Sequence, residues 1–285
     1  MEPTKGRQAF GSFGLTRFFL VARRPSPQHL SAIEGILRNG TEIYLSADPR
    51  CPSYLAGEGA KKLLASGFNP VPHVAARTFA DEAKLDCFLA QLNDVGVRRV
   101  FVLAGDVDQP AGALENSLQV IQSGILAKHG FADIDVAGYP EGHPYLPNEV
   151  LRRSLTEKIC AAKSSDLEVH IASQFCFDPC KIIDWIQAVR ESGFDNVIRV
   201  GIPTAAKLSI LSSYAVDCGV RIPYEQLQKG MQPGQEAIWT PEHLLTELNE
   251  AFGKWDPGAV TANFFAFGGL VSSARWAASW ADRAR

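Results

Sequence analysis

Five clusters of ionisable and hydrogen-bonding side chains stand out along the chain. They are Pro72-His73 with Arg77, Gly105-Asp106 with Asp108, Tyr139-Pro140-Glu141-Gly142-His143, Gln174-Phe175-Cys176-Phe177-Asp178, and Gly201-Ile202-Pro203 with Lys207. Together they hold carboxylates, two imidazoles, a phenol and a carboxamide. Carboxylates and imidazoles move protons when their pKa suits the task. A carboxamide donates and accepts at adjacent atoms, so it can hold the edge of a heterocycle. Each cluster also has a plain structural reading. His73 fits a satisfied core histidine, Gly105-Asp106 a tight turn that Asp tolerates, and Gln174 a buried amide that needs partners. Glu168 and His170 read as structural, and Lys207 as the start of a solvated helix. The functional reading comes from recurrence: every cluster directly follows an apolar, strand-like run.

Eight such runs lie near residues 17–23, 41–46, 69–74, 98–104, 133–138, 167–173, 196–201 and 259–266. The stretches between them read as helices, among them 78–95 and 147–164. In the first, Phe79, Ala83, Leu85, Phe88, Leu89 and Leu92 keep helical spacing. Alternating β and α units favour a parallel sheet with right-handed crossovers. Eight of them in 285 residues predict one α/β domain, a (β/α)8 barrel spanning 1–285, with 1–14 a flexible N-terminal segment. A barrel gathers its chemistry at the C-terminal ends of its strands, which is where the five clusters fall. The rival is an open doubly wound sheet. It would commonly place a glycine-rich phosphate loop after the first strand. Here that strand runs into Ala22-Arg23-Arg24-Pro25. The segment 223–241 interrupts the alternation and reads as an excursion before the last unit.

The formal net charge of −3 argues against a nucleic-acid binder, which usually carries a basic excess. None of the six cysteines forms a C-x-x-C pair, and the closest, Cys176 and Cys180, lack a second pair to complete a metal site. Reduced thiols and no metal are expected. The N-terminus lacks the apolar region of a signal peptide, and no run approaches the ~18 apolar residues of a membrane span. A cytoplasmic protein is the expectation.

The clusters resemble one family. Ala137-Gly138-Tyr139-Pro140-Glu141-Gly142-His143-Pro144 is similar to the A-[AG]-Y-P-x-x-H-P signature of methylenetetrahydrofolate reductases. Pro72-His73 resembles that family's P-H segment, Leu103-Ala104-Gly105-Asp106 its L-R-G-D, and Gln174 to Asp178 its Q-[FL]-F-F-[DE]. Gly201-Ile202-Pro203 and Val220-Arg221-Ile222-Pro223 are similar to its later segments. The likeness covers about residues 40 to 225, in order. It implies a flavoenzyme of one-carbon metabolism and methionine biosynthesis. Such an enzyme uses FAD and NAD(P)H to reduce 5,10-methylenetetrahydrofolate to 5-methyltetrahydrofolate, and it forms a homo-oligomer. It implies FAD contacts from His73, Gly105, Asp106, Tyr139 and His143. Ser46 stands where a threonine is common, and Lys163 matches a helical lysine that reaches the cofactor phosphates. Asp106 and Gln174 would act on the folate, Gln174 by binding the pterin.

The pattern breaks at three places. The family has a glutamate on strand 1 as its proposed acid, whereas no carboxylate lies between Glu2 and Glu34 here. Replacements to consider are Asp106, Asp108, Asp48 and Glu141, while Arg23 and Arg24 bring positive charge to the barrel mouth. Ala104 stands where the family has arginine, and the Asp-then-Asn spacing after strand 5 is missing. Direct hydride transfer from NADH without flavin therefore stays open. So do a related oxidoreductase acting on another folate or one-carbon substrate, and a non-catalytic folate- or flavin-binding protein.

Overall fold

The computed structural model describes residues 19–22, 26–46, 54–223, 225 and 238–283. The expected flexible segment 1–14, and Arg23, Arg24 and Asp48, lie outside the described residues. Eight parallel strands close a barrel: β1 (Phe19–Ala22), β2 (Glu42–Leu45), β3 (Asn69–Ala75), β4 (Arg99–Leu103), β5 (Asp133–Gly138), β6 (Glu168–Phe175), β7 (Ile198–Pro203) and β10 (Val260–Phe265). Closure is made by β1, which pairs with β2 on one side and β10 on the other, so Phe19 lies opposite both Glu42 and Asn263. Each of the eight expected runs overlaps one of these strands, with β3, β6 and β7 running one or two residues further than expected. Two short strands, β8 (Ala206–Lys207) and β9 (Ile238–Trp239), form a separate antiparallel pair. Its second strand lies at the C-terminal end of the excursion expected over 223–241 and ties it back to the start of the helix Leu208–Cys218. Trp239 is buried there, edge-on to Phe177 at 5.2 Å.

The helices are α1 (Pro27–Glu34), α2 (Tyr54–Ala65), α3 (Glu82–Asp94), α4 (Ser117–Gln122), α5 (Ile125–Lys128), α6 (Asn148–Ser164), α7 (Pro179–Glu191), α8 (Leu208–Cys218), α9 (Glu242–Lys254) and α10 (Leu270–Arg283). Their starts follow from local chemistry. Asp81 accepts a hydrogen bond from the Lys84 amide and caps α3, so this helix begins later than residue 78. Phe79 is still buried, but ahead of the helix, and Ala83 is exposed. Asp178 accepts from the Cys180 and Lys181 amides and caps α7, with Pro179 in the first helical position. Between barrel and helices lies an apolar layer in which Val100, Val102, Ile134, Val136, Ile171 and Val200 meet Leu89, Leu92, Ile182 and Leu245. Arg190 closes the lower end of this layer. Its guanidinium donates to the carbonyls of Phe194, Asn196, Pro257 and Ala259.

Strand alternation sends the other side chains inward. Such interiors are ordinarily filled by branched apolar residues. Here the lower interior carries charge. Arg199 on β7 is 2% exposed and pairs with Glu42 on β2, which also accepts from Arg99 on β4 at 2.5 Å. Arg199 Nε stands 3.6 Å from Asp135 on β5, and Arg199 Nη2 stands 2.6 Å from His170 Nδ1 on β6. Tyr44 donates its hydroxyl to Asp135 in a short hydrogen bond. Burial raises the Asp135 carboxyl to a pKa of about 6, against the pull of Arg199, and holds the Tyr44 phenol well above its ordinary value. Burial and the Arg199 charge push His170 down to about 3, so it is a neutral ring. The structural reading of His170 and Glu168 agrees with this packing, since Glu168 Oε1 lies 3.1 Å from His170 Nε2.

Among the described residues no helix is long and apolar enough to cross a membrane. Nor does any group of three or more His, Cys, Asp or Glu side chains come together to hold a metal ion. Cys87, Cys160, Cys176 and Cys180 are thiols.

Candidate active site

Above the charged layer, a cleft of about 450 Å³ opens at the C-terminal ends of the strands. Ser46, His73, Gly105, Asp106, Tyr139 and Gln174 all line it. The loops that deliver them are shaped by their glycines and by close backbone contacts. Gly105 adopts φ +99°, a region that other residues rarely enter, and a Cβ there would come within 3.1 Å of the Ala75 methyl. The β4 end is tied to the β3 end: Arg77 N–H donates to the Ala104 carbonyl at 2.9 Å, and Arg77 Nη2 donates to the Asp108 carbonyl at 2.7 Å. Asp106 is carried between these anchors. It faces Tyr139, whose phenol is raised above its ordinary pKa by burial and then by the Asp106 charge.

Gln174 sits at an irregularity between β6 and β7, where pairing shifts between Ala172 and Phe175. A side chain at position 201 would collide with the Gln174 backbone at 2.7 Å, so glycine is needed opposite it. Ser173 Oγ donates to the Gln174 carbonyl and accepts from the Gly201 amide, both at 2.8 Å. Gln174 Oε1 accepts from the Phe175 amide at 3.1 Å, which turns the side chain to a fixed pose. Gln174 itself lines the cleft.

Among the described residues, three buried side-chain atoms of the cleft floor have no hydrogen-bond partner: Ser46 Oγ, His73 Nε2 and Asn263 Oδ1. Desolvation lowers His73 to a pKa of about 3, so its ring is neutral, with one nitrogen to donate and one to accept. Its ring packs edge-on to Phe101 at 4.9 Å. The opposite wall is aromatic. Phe175 lies 4.8 Å from Phe267 and 5.3 Å from Phe265, and Tyr214 stacks on Phe267 at 4.4 Å. A polar floor against an aromatic wall suits a flat heterocycle with donors and acceptors on its rim.

Two expected contacts fall elsewhere. His143 is outside the cleft lining. It packs edge-on to Tyr139 at 5.4 Å, and its Nδ1 accepts from the Tyr145 amide at 3.2 Å. It therefore supports the tyrosine. Lys163 is exposed in the last turn of α6, which descends from the top of β5 to the bottom of β6, so it lies at the barrel end away from the cleft. On the same helix Lys158 is buried, and desolvation lowers its ammonium to a pKa of about 8. Glu141 is also committed. Its two oxygens accept from Cys176 Sγ at 3.1 Å and the Arg221 amide at 2.8 Å, bracing the loops beyond β5 and β6. Asp108 is exposed and outside the lining, and Lys207 is exposed at the start of α8 as expected. Residues that the motifs did not mark, His29, Tyr44, Thr78 and Asn263, also line the cleft.

A family model described as Methylenetetrahydrofolate reductase matches residues 61–236 of the chain. Among solved structures, dihydropteroate synthase (FolP) from Thermus thermophilus is similar in fold. It has 13% sequence identity and a TM-score of 0.50, with 94% of this chain and 93% of that one covered. The same synthase in complex with 6HMPPP gives 12% identity and a TM-score of 0.51, covering 93% of this chain and 92% of that one. At these identities the likeness speaks for the barrel alone.

Proposed function

Because the chain belongs to the methylenetetrahydrofolate reductase family, we propose that it reduces 5,10-methylenetetrahydrofolate to 5-methyltetrahydrofolate with NAD(P)H, using FAD held at the barrel mouth. The observation that carries this reading is the set of orphaned buried atoms, Ser46 Oγ, His73 Nε2 and Asn263 Oδ1, opposite an aromatic wall. Buried polar atoms are rarely left unpaired, and each costs about 1–3 kcal/mol until a partner arrives. The rim of a flavin or pterin ring carries alternating donors and acceptors of the kind these atoms need. Both fit this floor. Ser46, His73, Gly105, Asp106 and Tyr139 would hold the flavin ring, and the Gln174 amide would donate to the pterin. Lys158, buried on α6 with no carboxylate paired to it among the described residues, is better placed than Lys163 to meet an anionic group. Bound FAD would supply the two-electron carrier between nicotinamide and folate. The protein supplies orientation, a dry floor, and Asp106 as an acceptor for pterin N–H groups. A homo-oligomer in the cytoplasm goes with this reading.

Ala104 offers no side chain to a flavin or a phosphate, which favours one alternative, direct hydride transfer from NAD(P)H to the folate. The visible spectrum of the purified protein separates the two. Under anaerobic conditions a flavin band that bleaches with NAD(P)H and returns with methylenetetrahydrofolate is the expected result. NAD(P)H consumption with folate but without any flavin uptake would replace the flavin reading with direct transfer. No consumption at all would leave a binding protein.

A further inference from the structure

We propose that His29 is the general acid of this site. The proposal rests on the folate reading above and deepens it by naming its proton donor. Ring opening of 5,10-methylenetetrahydrofolate breaks the aminal bond between the methylene carbon and N10. The bonding electron pair goes to N10, which takes a proton, while the N5 lone pair forms a double bond to the carbon and leaves an iminium. No electrons pass to another molecule in this step. The donor must carry a proton near neutral pH, reach the reacting nitrogen, and regain its proton from solvent. Imidazole is the side chain that most often serves as such a donor.

The geometry favours His29 over its neighbours. It lines the cleft with Asp106, Tyr139 and Gln174, yet is exposed, so water can reload it. Its backbone is fixed in the first turn of α1, where Ser26 Oγ accepts from the His29 amide at 3.2 Å and Pro27 opens the helix. The other titratable groups of the lining are Tyr44, His73, Asp106, Tyr139, Tyr214 and Cys218. Tyr44 has committed its hydroxyl to Asp135. His73 is a neutral ring, and burial strengthens the hold of Tyr139 on its proton. Tyr214 is stacked on Phe267. From α10, which packs against α1, Leu270 reaches the cleft, and Arg275 of that helix is exposed. Cys218 is half-buried at the end of α8, whereas Asp106 is exposed as His29 is, so Asp106 is the competitor to test.

The experiment measures kcat for NAD(P)H-dependent reduction of methylenetetrahydrofolate, from about pH 5 to 9. It compares wild type, His29→Gln and Asp106→Asn, with folate affinity and thermal melting recorded beside each. His29 is exposed, so its variant should melt with wild type. The expected result is a wild-type kcat that falls along a one-proton limb as pH rises. In His29→Gln, kcat drops about 10²–10⁴-fold, the limb disappears, folate affinity is retained, and added imidazole restores part of the rate. A His29→Gln enzyme that keeps both kcat and the limb overturns the proposal. If Asp106→Asn loses the limb instead, the proton belongs to Asp106. A wild type that never turns over the folate removes the functional reading itself, and the role of His29 with it.

Discussion

The barrel interior is two polar regions stacked on one axis, and they differ in how their polar atoms are satisfied. In the lower layer every charge has an opposite charge within reach: Glu42 with Arg99 and Arg199, Asp135 with Arg199, and Asp133 with Arg99 at 3.5 Å. Arg99 Nε, Arg199 Nε and Asp135 Oδ1 lack a hydrogen bond there but belong to these ion pairs, whereas in the upper layer Ser46, His73 and Asn263 are neutral and each leaves an atom without a partner among the described residues. The first arrangement joins strands that lie apart in sequence and specifies how the barrel closes. The second carries an energetic deficit that only an outside group can relieve. A polar interior therefore does not by itself mark a site; neutral unpaired atoms beside an open cleft do.

Mutations that act on one layer should leave the other nearly untouched. The largest effect is expected from Arg199→Met, which strands the buried Asp135 charge and removes a partner of Glu42. Breaking one side of a buried pair costs about 3–5 kcal/mol, readable as a lower urea midpoint at pH 7. A loss under about 1 kcal/mol would mean that the lower layer is not a closing device. Next comes pH. Asp135 has its folded pKa raised to about 6 from an ordinary 3.8. A raised carboxyl gives stability that is fully present below 3.8 and is lost as pH rises through about 6. Wild type should therefore lose ground to Asp135→Asn between about pH 4 and 7, by an amount on the order of 3 kcal/mol. Parallel denaturation curves at the two pH values check the sign, and a gap that widens in favour of wild type would refute it. The smallest effect is assigned to the upper layer. Gln174→Ala should weaken folate binding about tenfold, roughly 1.4 kcal/mol, with little change in melting temperature. Equal damage to stability would recast Gln174 as a brace for the β6–β7 irregularity.

How much of this was legible in the sequence follows from what each feature depends on. The eight strands are local: each is a short apolar run such as Ile198–Pro203, buried throughout, and runs of that kind announce themselves. The cleft residues were legible because they follow those runs directly. Lys163 misled because the match to a helical lysine slides along the helix, and position on the helix face was the neglected signal. Leu155, Lys158, Ile159 and Ala162 share the buried face of α6, and Lys163 does not. The charged layer was not legible at all. Arg199 stands alone between apolar neighbours in Ile198-Arg199-Val200, and its partner Glu42 lies 157 positions away. Only the closed barrel brings them together. His29 and Asn263 were missed for a related reason, since they belong to the first and last β/α units, outside the motifs that drew attention.

The small β8–β9 pair gives the protein an optical reporter of its own. Trp239 is buried against Phe177, and Phe177 in turn packs edge-on to Phe175, at 5.9 Å, on the cleft wall. An indole two rings from the ligand chamber lies within the reach of excited-state energy transfer to any chromophore seated there, so occupancy of the chamber is written into the protein's native emission without a label.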